Sequence, residues 1–131
     1  MQGDAAAHVA GTCFFPQVNG YPNGHPEFRR AFFYSKEGGL LELGTLGGRK
    51  SEAFGVDAND TVVGKADVAT STTAVTHAFA WTASGGMKDL NGLIDQPGWV
   101  LVEARAINAK GQIAGVGTFN GTARGFVLTP R

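Results

Sequence analysis

A single cysteine, Cys13, stands in 131 residues. It excludes an intramolecular disulfide and a cysteine-rich zinc site, so stability has to come from packing or from association. An excess of one charge is missing too. Lys plus Arg number 11 and Asp plus Glu number 11, which leaves no surplus to hold a phosphate backbone or an anionic membrane and argues against nucleic acid or lipid surfaces as partners. Apolar runs are short: Gly98 to Val102 and Ala78 to Trp81 fall far below the roughly 18 to 20 residues of a membrane-spanning helix. The opening Met1-Gln2-Gly3-Asp4-Ala5 lacks a basic region followed by an apolar stretch, so no secretory signal is expected and the location of the chain stays open. No segment carries a convincing helical period.

What the chain does have is glycine. Twenty Gly against five Pro, with Val, Thr, Phe and Ile in short runs between Gly, Asn and Asp clusters, predict short strands joined by turns. The length suits one domain with a real core. Self-similarity then decides the reading. The segment from Ala31 to Leu43 aligns without gaps to Ala78 to Leu90 at an offset of 47 residues. A second block, Ala53 to Gly64, aligns to Ala104 to Gly115 at an offset of 51, and Gly125-Phe126 returns to the spacing of 47 from Ala78-Phe79. Partial copies lie at the start, where Val9-Ala10-Gly11 resembles Val62-Val63-Gly64, and at the end, where Gly125 to Leu128 resembles Ala78 to Trp81.

Each copy reads as two hairpins: Ala78 to Trp81 with Met87 to Leu90 across a Gly-Gly pair, and Ala104 to Asn108 with Gln112 to Val116 across Ala109-Lys110-Gly111. Glycine supplies the positive φ that such turns demand. Four short strands in about 47 residues is the blade unit of a β-propeller, and an all-β, propeller-like array of tandem four-stranded repeats is the expected fold, with a sandwich or a solenoid of the same hairpins as the alternative. The single domain 1–131 then divides into a partial repeat 1–39, a repeat 40–86 and a repeat 87–131 that is incomplete at its C-terminus. Ten strands are not a multiple of four. A leftover half-blade with open edges is marginal alone, so a homo-oligomer is expected to complete the ring.

The run His77-Ala78-Phe79-Ala80-Trp81, followed by Gly85-Gly86-Met87-Lys88-Asp89-Leu90, resembles the HAF family of bacterial extracellular repeats, as do Leu43 to Gly48 and Ala106 to Gly115. The resemblance covers about residues 30 to 128. It implies an extracellular parent family with more repeats than this chain carries, and hence a fragment. Two copies depart from the signature: Arg30 and Arg124 stand where it has histidine.

Strand alternation sends the loops to two rims. Tight turns, Ser35 to Gly39, Asp57 to Asp60, Ala83 to Gly86 and Asn108 to Gly111, occupy one. The long loops, Thr12 to Arg29, Gly44 to Ser51, Lys65 to Thr76 and Asn91 to Val102, with the shorter Thr118 to Ala123, occupy the other, which is the candidate functional face. Candidate ligand-binding residues there are Tyr21, Asp67, Asp95, Trp99 and Glu103, with Tyr21 and Trp99 as an aromatic wall for a sugar or another flat ligand. His25, Glu27 and His77 form a candidate metal set, since imidazole and carboxylate suit zinc or manganese and an open position would activate water. Cys13 would be a nucleophile if His25 or His77 stabilised its thiolate. The bland readings are a loop-bonding histidine and a small buried cysteine. Gly44-Thr45-Leu46-Gly47-Gly48 lacks the Lys and helix of a phosphate loop and is turn chemistry. His8 lies earlier on its strand and would be at the loop-bearing rim only by coordination across a subunit boundary.

Two function classes are consistent with these residues. The first is a module without cofactor whose rim binds a small molecule, a glycan or a protein. The second is a hydrolase of esters or phosphoesters, such as phosphotriesters, using a divalent metal or Cys13, with His77, Cys13 and His25 as its catalytic residues.

Overall fold

The computed structural model describes residues 8–14, 29–69 and 75–130, with backbone alone at Cys13, Phe14, Arg29 and Arg49. Among the described residues ten strands succeed one another: β1 (Val9–Phe14), β2 (Arg29–Ser35), β3 (Gly39–Glu42), β4 (Gly47–Val56), β5 (Val62–Val68), β6 (Val75–Thr82), β7 (Gly86–Asp89), β8 (Trp99–Ile107), β9 (Ile113–Phe119) and β10 (Thr122–Leu128). One 3-10 turn, Leu90–Leu93, interrupts them, and no α-helix occurs among the described residues. The protein is all-β. Every strand pairs antiparallel with its chain neighbour inside three sheets: β1 to β3, β4 to β7, and β8 to β10. A repeat counted from Leu40 cuts across these sheets, because β3 and β7 pair with the strand before them and the chain changes sheet after each.

The local chemistry of the turns explains the pairing. Between β2 and β3 the Ser35 hydroxyl accepts the Gly38 N–H at 3.0 Å, and between β6 and β7 the Thr82 hydroxyl accepts the Gly85 N–H at 3.0 Å. Gly86 then leaves the turn at φ 75°, a conformation a side chain would strain. Between β4 and β5, Asp57 Oδ1 accepts from the N–H groups of Asn59 and Thr61, both at 2.9 Å. Asn108 Oδ1 does the same for Lys110 and Gln112, both at 3.0 Å, between β8 and β9. Such Asx turns fix loop length, and loop length fixes register.

Two hydrophobic cores lie between the sheets. Ala31, Phe33 and Leu43 of the first sheet meet Ala53, Val62, Ala66, Phe79 and Trp81 of the second. Val63 and Ala78 of the second, with Leu90 of the 3-10 turn that follows it, meet Leu101, Ala104, Ile113 and Phe126 of the third. Close approach between paired strands is obligatory at several glycines, Gly64 and Gly115 among them. A Cβ at Gly64 would overlap the Glu52 carbonyl oxygen, and one at Gly115 would overlap that of Glu103. Each lies beside an irregularity in the pairing, Ala53/Gly55 and Ala104/Ala106, where the strand bends.

Candidate functional site

Antiparallel order brings the connections after β3, β5, β7 and β9 to one rim and the tight turns after β2, β4, β6 and β8 to the other. A well-formed concavity opens between the second and third sheets among the described residues. It has a volume of about 720 Å³; Leu101, Ile113 and Phe126 line it, with Asp95 and Trp99 from the loop-bearing rim and Pro130 at the far end. Trp99 is half-buried and leans on Phe119, ring centroids 5.3 Å apart. Asp95 is exposed. An apolar trough with a few polar groups at its mouth has the character of a ligand site.

Of the other expected site residues, Tyr21, His25 and Glu27 lie outside the described residues, as does the side chain of Cys13. Asp67 is not in a loop. Strand β5 continues through Val68, so Asp67 pairs with Thr76, is buried, and accepts the Thr76 hydroxyl at 3.1 Å. Backbone pairing extends the strand further than its polar sequence suggests, and the loop expected from Lys65 onward is confined to residues beyond Val68. Glu103 likewise sits within β8, where Oε1 meets Arg105 Nη2 at 2.7 Å and Oε2 stands 3.6 Å from Lys65 Nζ. Lys65 also approaches Glu52 Oε2 at 3.9 Å, and Arg105 lies over the Phe54 ring at 5.4 Å. These residues form a charged strip along β4, β5 and β8, away from the groove.

His77 has a partner that its sequence neighbourhood does not reveal. Its Nδ1 lies 2.7 Å from Asp89 Oδ2 across the β6 and β7 pair. Asp89 Oδ1 accepts the N–H and side-chain amide of Asn91 at 2.9 and 3.0 Å, and Asn91 in turn exchanges two hydrogen bonds with the Leu101 backbone in β8. Burial works to raise the Asp89 pKa, but the hydrogen bonds from His77 and Asn91 outweigh it and hold the carboxyl below its ordinary range. The imidazole therefore begins a chain of bonds joining two sheets. Arg30 occupies the aligned position in β2, and its Nη1 donates to Glu42 Oε2 at 3.0 Å. A base followed twelve residues later by an acid is the sequence signal for both pairs.

The tight-turn rim holds a second histidine cluster. His8 Nδ1 hydrogen-bonds Asp60 Oδ1, its Nε2 stands 3.8 Å from Glu37, and its ring meets Phe33 edge-on. The Asp60 hydrogen bond is the main influence on His8, and with the charges of Asp60 and Glu37 it lifts the pKa above its ordinary value against desolvation. Among the described residues, no three His, Cys, Asp or Glu side chains gather in a way that would hold a metal ion. No described helix is long and apolar enough to cross a membrane. Compared with protein-family models, with curated proteins and with solved structures, the chain gives no match.

Proposed function

We propose that the chain is a self-associating, β-propeller-like module, built from repeats of about 47 residues, that binds a small molecule, a glycan or a protein along the loop-bearing rim and the groove beside it. One observation carries the reading. The two inter-sheet cores use aligned residues: Ala31, Leu43, Ala53, Val62 and Phe79 in one, Ala78, Leu90, Ala104, Ile113 and Phe126 in the other. The side-chain cap of the Gly-Gly turn, the Asx turn and the obligatory glycine recur with them. Stacking of like units, each packing only on its neighbours, accounts for this.

The same alignment supports self-association. Val62 and Trp81 are covered by the first sheet, whereas their counterparts Val9 and Tyr34 are 50 and 42% exposed. At the other end Ala78 and Ala80 lie against the third sheet, whereas the counterpart of Ala80, Val127, is 65% exposed. One outer sheet offers the face that the other needs. A head-to-tail contact of this kind is heterologous and closes a ring when the rotation permits.

Light scattering over a wide concentration range tests the assembly, which is expected to have an integral multiple of the chain mass. A well-folded monomer throughout would overturn it. Metal analysis with an ester and phosphotriester hydrolysis screen, before and after chelation, tests the binding half of the reading. No chelator-sensitive turnover is expected, and such turnover would replace the binding module with the hydrolase.

A further inference from the structure

Strand β10 ends its sheet among the described residues, and its edge meets a groove of known shape. Gly125, Phe126, Val127, Leu128, Thr129 and Pro130 all line the concavity, which therefore runs along the strand edge. The outer edges of β2 and β6 have no such groove, because β3 and β7 cover them. Both covering segments share one pattern: Gly38-Gly39-Leu40-Leu41-Glu42-Leu43 and Gly85-Gly86-Met87-Lys88-Asp89-Leu90. Each is recognised in the same three ways. The hydroxyl of Ser35 or Thr82 accepts the first glycine N–H. The apolar residue after the glycines stands opposite Tyr34 or Trp81. The acid stands opposite Phe32 or Phe79 and is met by Arg30 or His77.

All three recognition elements reappear on β10 and at the residue that follows it. Thr129 aligns with Ser35 and Thr82, Leu128 with Tyr34 and Trp81, and Arg124 with Arg30 and His77. Thr129 and Arg124 are exposed. We infer that the β10 edge and its groove take up an extended polypeptide segment with the pattern Gly-Gly-apolar-any-acid-Leu, added antiparallel as a fourth strand of the third sheet. Main-chain hydrogen bonds along the edge supply affinity, and alternate side chains supply specificity. The apolar residue enters the space over Ala80 and Leu128 where, between the first two sheets, Met87 packs against the core that holds Phe33 and Trp81. The acid pairs with the Arg124 guanidinium, and the Thr129 hydroxyl accepts the first glycine N–H.

The inference rests on the repeat alignment proposed above, and its test separates the two. A fluorescein-labelled peptide with the sequence of Ser84 to Asn91 is titrated with the full chain by anisotropy, and with Arg124→Glu and Thr129→Val variants. Saturable binding is expected, weakened at least tenfold by Arg124→Glu and about threefold by Thr129→Val. A peptide with Lys in place of its Asp should recover binding to Arg124→Glu. No saturable binding at millimolar concentration, indifference to Arg124→Glu, or failure of the charge-swapped peptide overturns the inference. So does loss of peptide at high protein concentration, since a second copy would then occupy the edge. A melting double-mutant cycle on Arg30 and Glu42 reports on the alignment itself. Coupling there without peptide binding sinks the edge site and leaves the repeats standing, and absence of both sinks the two together.

Discussion

Between the first and second sheets the outer part of the core is closed by Phe33 and Trp81, ring centroids 5.5 Å apart, with Met87 beside them. Between the second and third sheets the aligned positions hold Ala80 and Leu128, and a groove of about 720 Å³ remains. The inner parts of the two regions differ little: Ala53 and Ala104 are both buried, and Gly64 and Gly115 both press on a neighbouring carbonyl. Gly64 and Gly115 let β5 and β9 lie close to the irregular partner strands β4 and β8 within their own sheets, and Ala53 and Ala104 are small residues in the two cores between sheets. Large residues at the outer strands fill the space or leave it open, so that part of the interface is free to become a site.

The strongest test of this comparison disturbs the irregular strand pairs that the second and third sheets have in common, β4 with β5 and β8 with β9. Gly64→Ala and Gly115→Ala place a Cβ against backbone that has no rotamer to relax into, so each should cost about 3 kcal/mol or more by chemical denaturation. Damage from one and not the other would show that the two regions are not built alike. Next comes truncation of the outer residues. Trp81→Ala should cost about 3 to 5 kcal/mol, and Leu128→Ala, beside a cavity already open, about 1 to 2 kcal/mol. Equal losses would mean that the groove is not a packing difference.

Filling experiments sharpen the contrast. Leu128→Trp should leave the melting temperature unchanged or raise it, because the groove has room, whereas Met87→Trp overpacks a closed region and should cost about 1 to 3 kcal/mol. The smallest effects concern pH. His8 has a raised folded pKa, so its pairing with Asp60 and Glu37 contributes fully below the unfolded value, about 6.5, and is lost as pH rises through the folded one. Asp89 has a lowered folded pKa, so its contribution is present above about 4 and lost as pH falls through the folded value. Melting temperature against pH should sag on both sides, and His8→Gln should flatten the alkaline side only. Flattening of the acid side instead would contradict the assignment.

The all-β character and the hairpins were legible because two aligned stretches of the sequence carry the same alternation and turn residues. The hairpins of Ala78 to Leu90 and Ala104 to Val116 stand where alternation and Gly-rich turns put them, and Gly86 and Gly111 have the positive φ expected of them, 75 and 80°. The grouping of strands into sheets was not legible. Periodicity is blind to whether β3 pairs backward with β2 or forward with β4. Site residues were harder for a related reason. Asp67 read as a loop residue and Glu103 as a rim residue beside a loop, but β5 and β8 carry them within strands, where Thr76, Lys65 and Arg105 meet them. His77 read as a lone histidine because Asp89 is distant in sequence and adjacent only across a ladder. The groove depends on an alanine at position 80 and a leucine at position 128, a difference visible only once their larger counterparts are seen filling the other interface.

If like units stack through two different, complementary faces, as proposed, variants that each spoil one face will assemble only when mixed. Tyr34→Lys charges the outer face of the first sheet, and Val127→Lys charges that of the third. Each variant alone should lose the assembled form, having one spoiled face in every contact, while an equimolar mixture examined by sedimentation velocity should form a one-to-one pair through the two intact faces. Variants that still assemble alone, or a mixture that stays monomeric while both chains remain folded, would contradict the account.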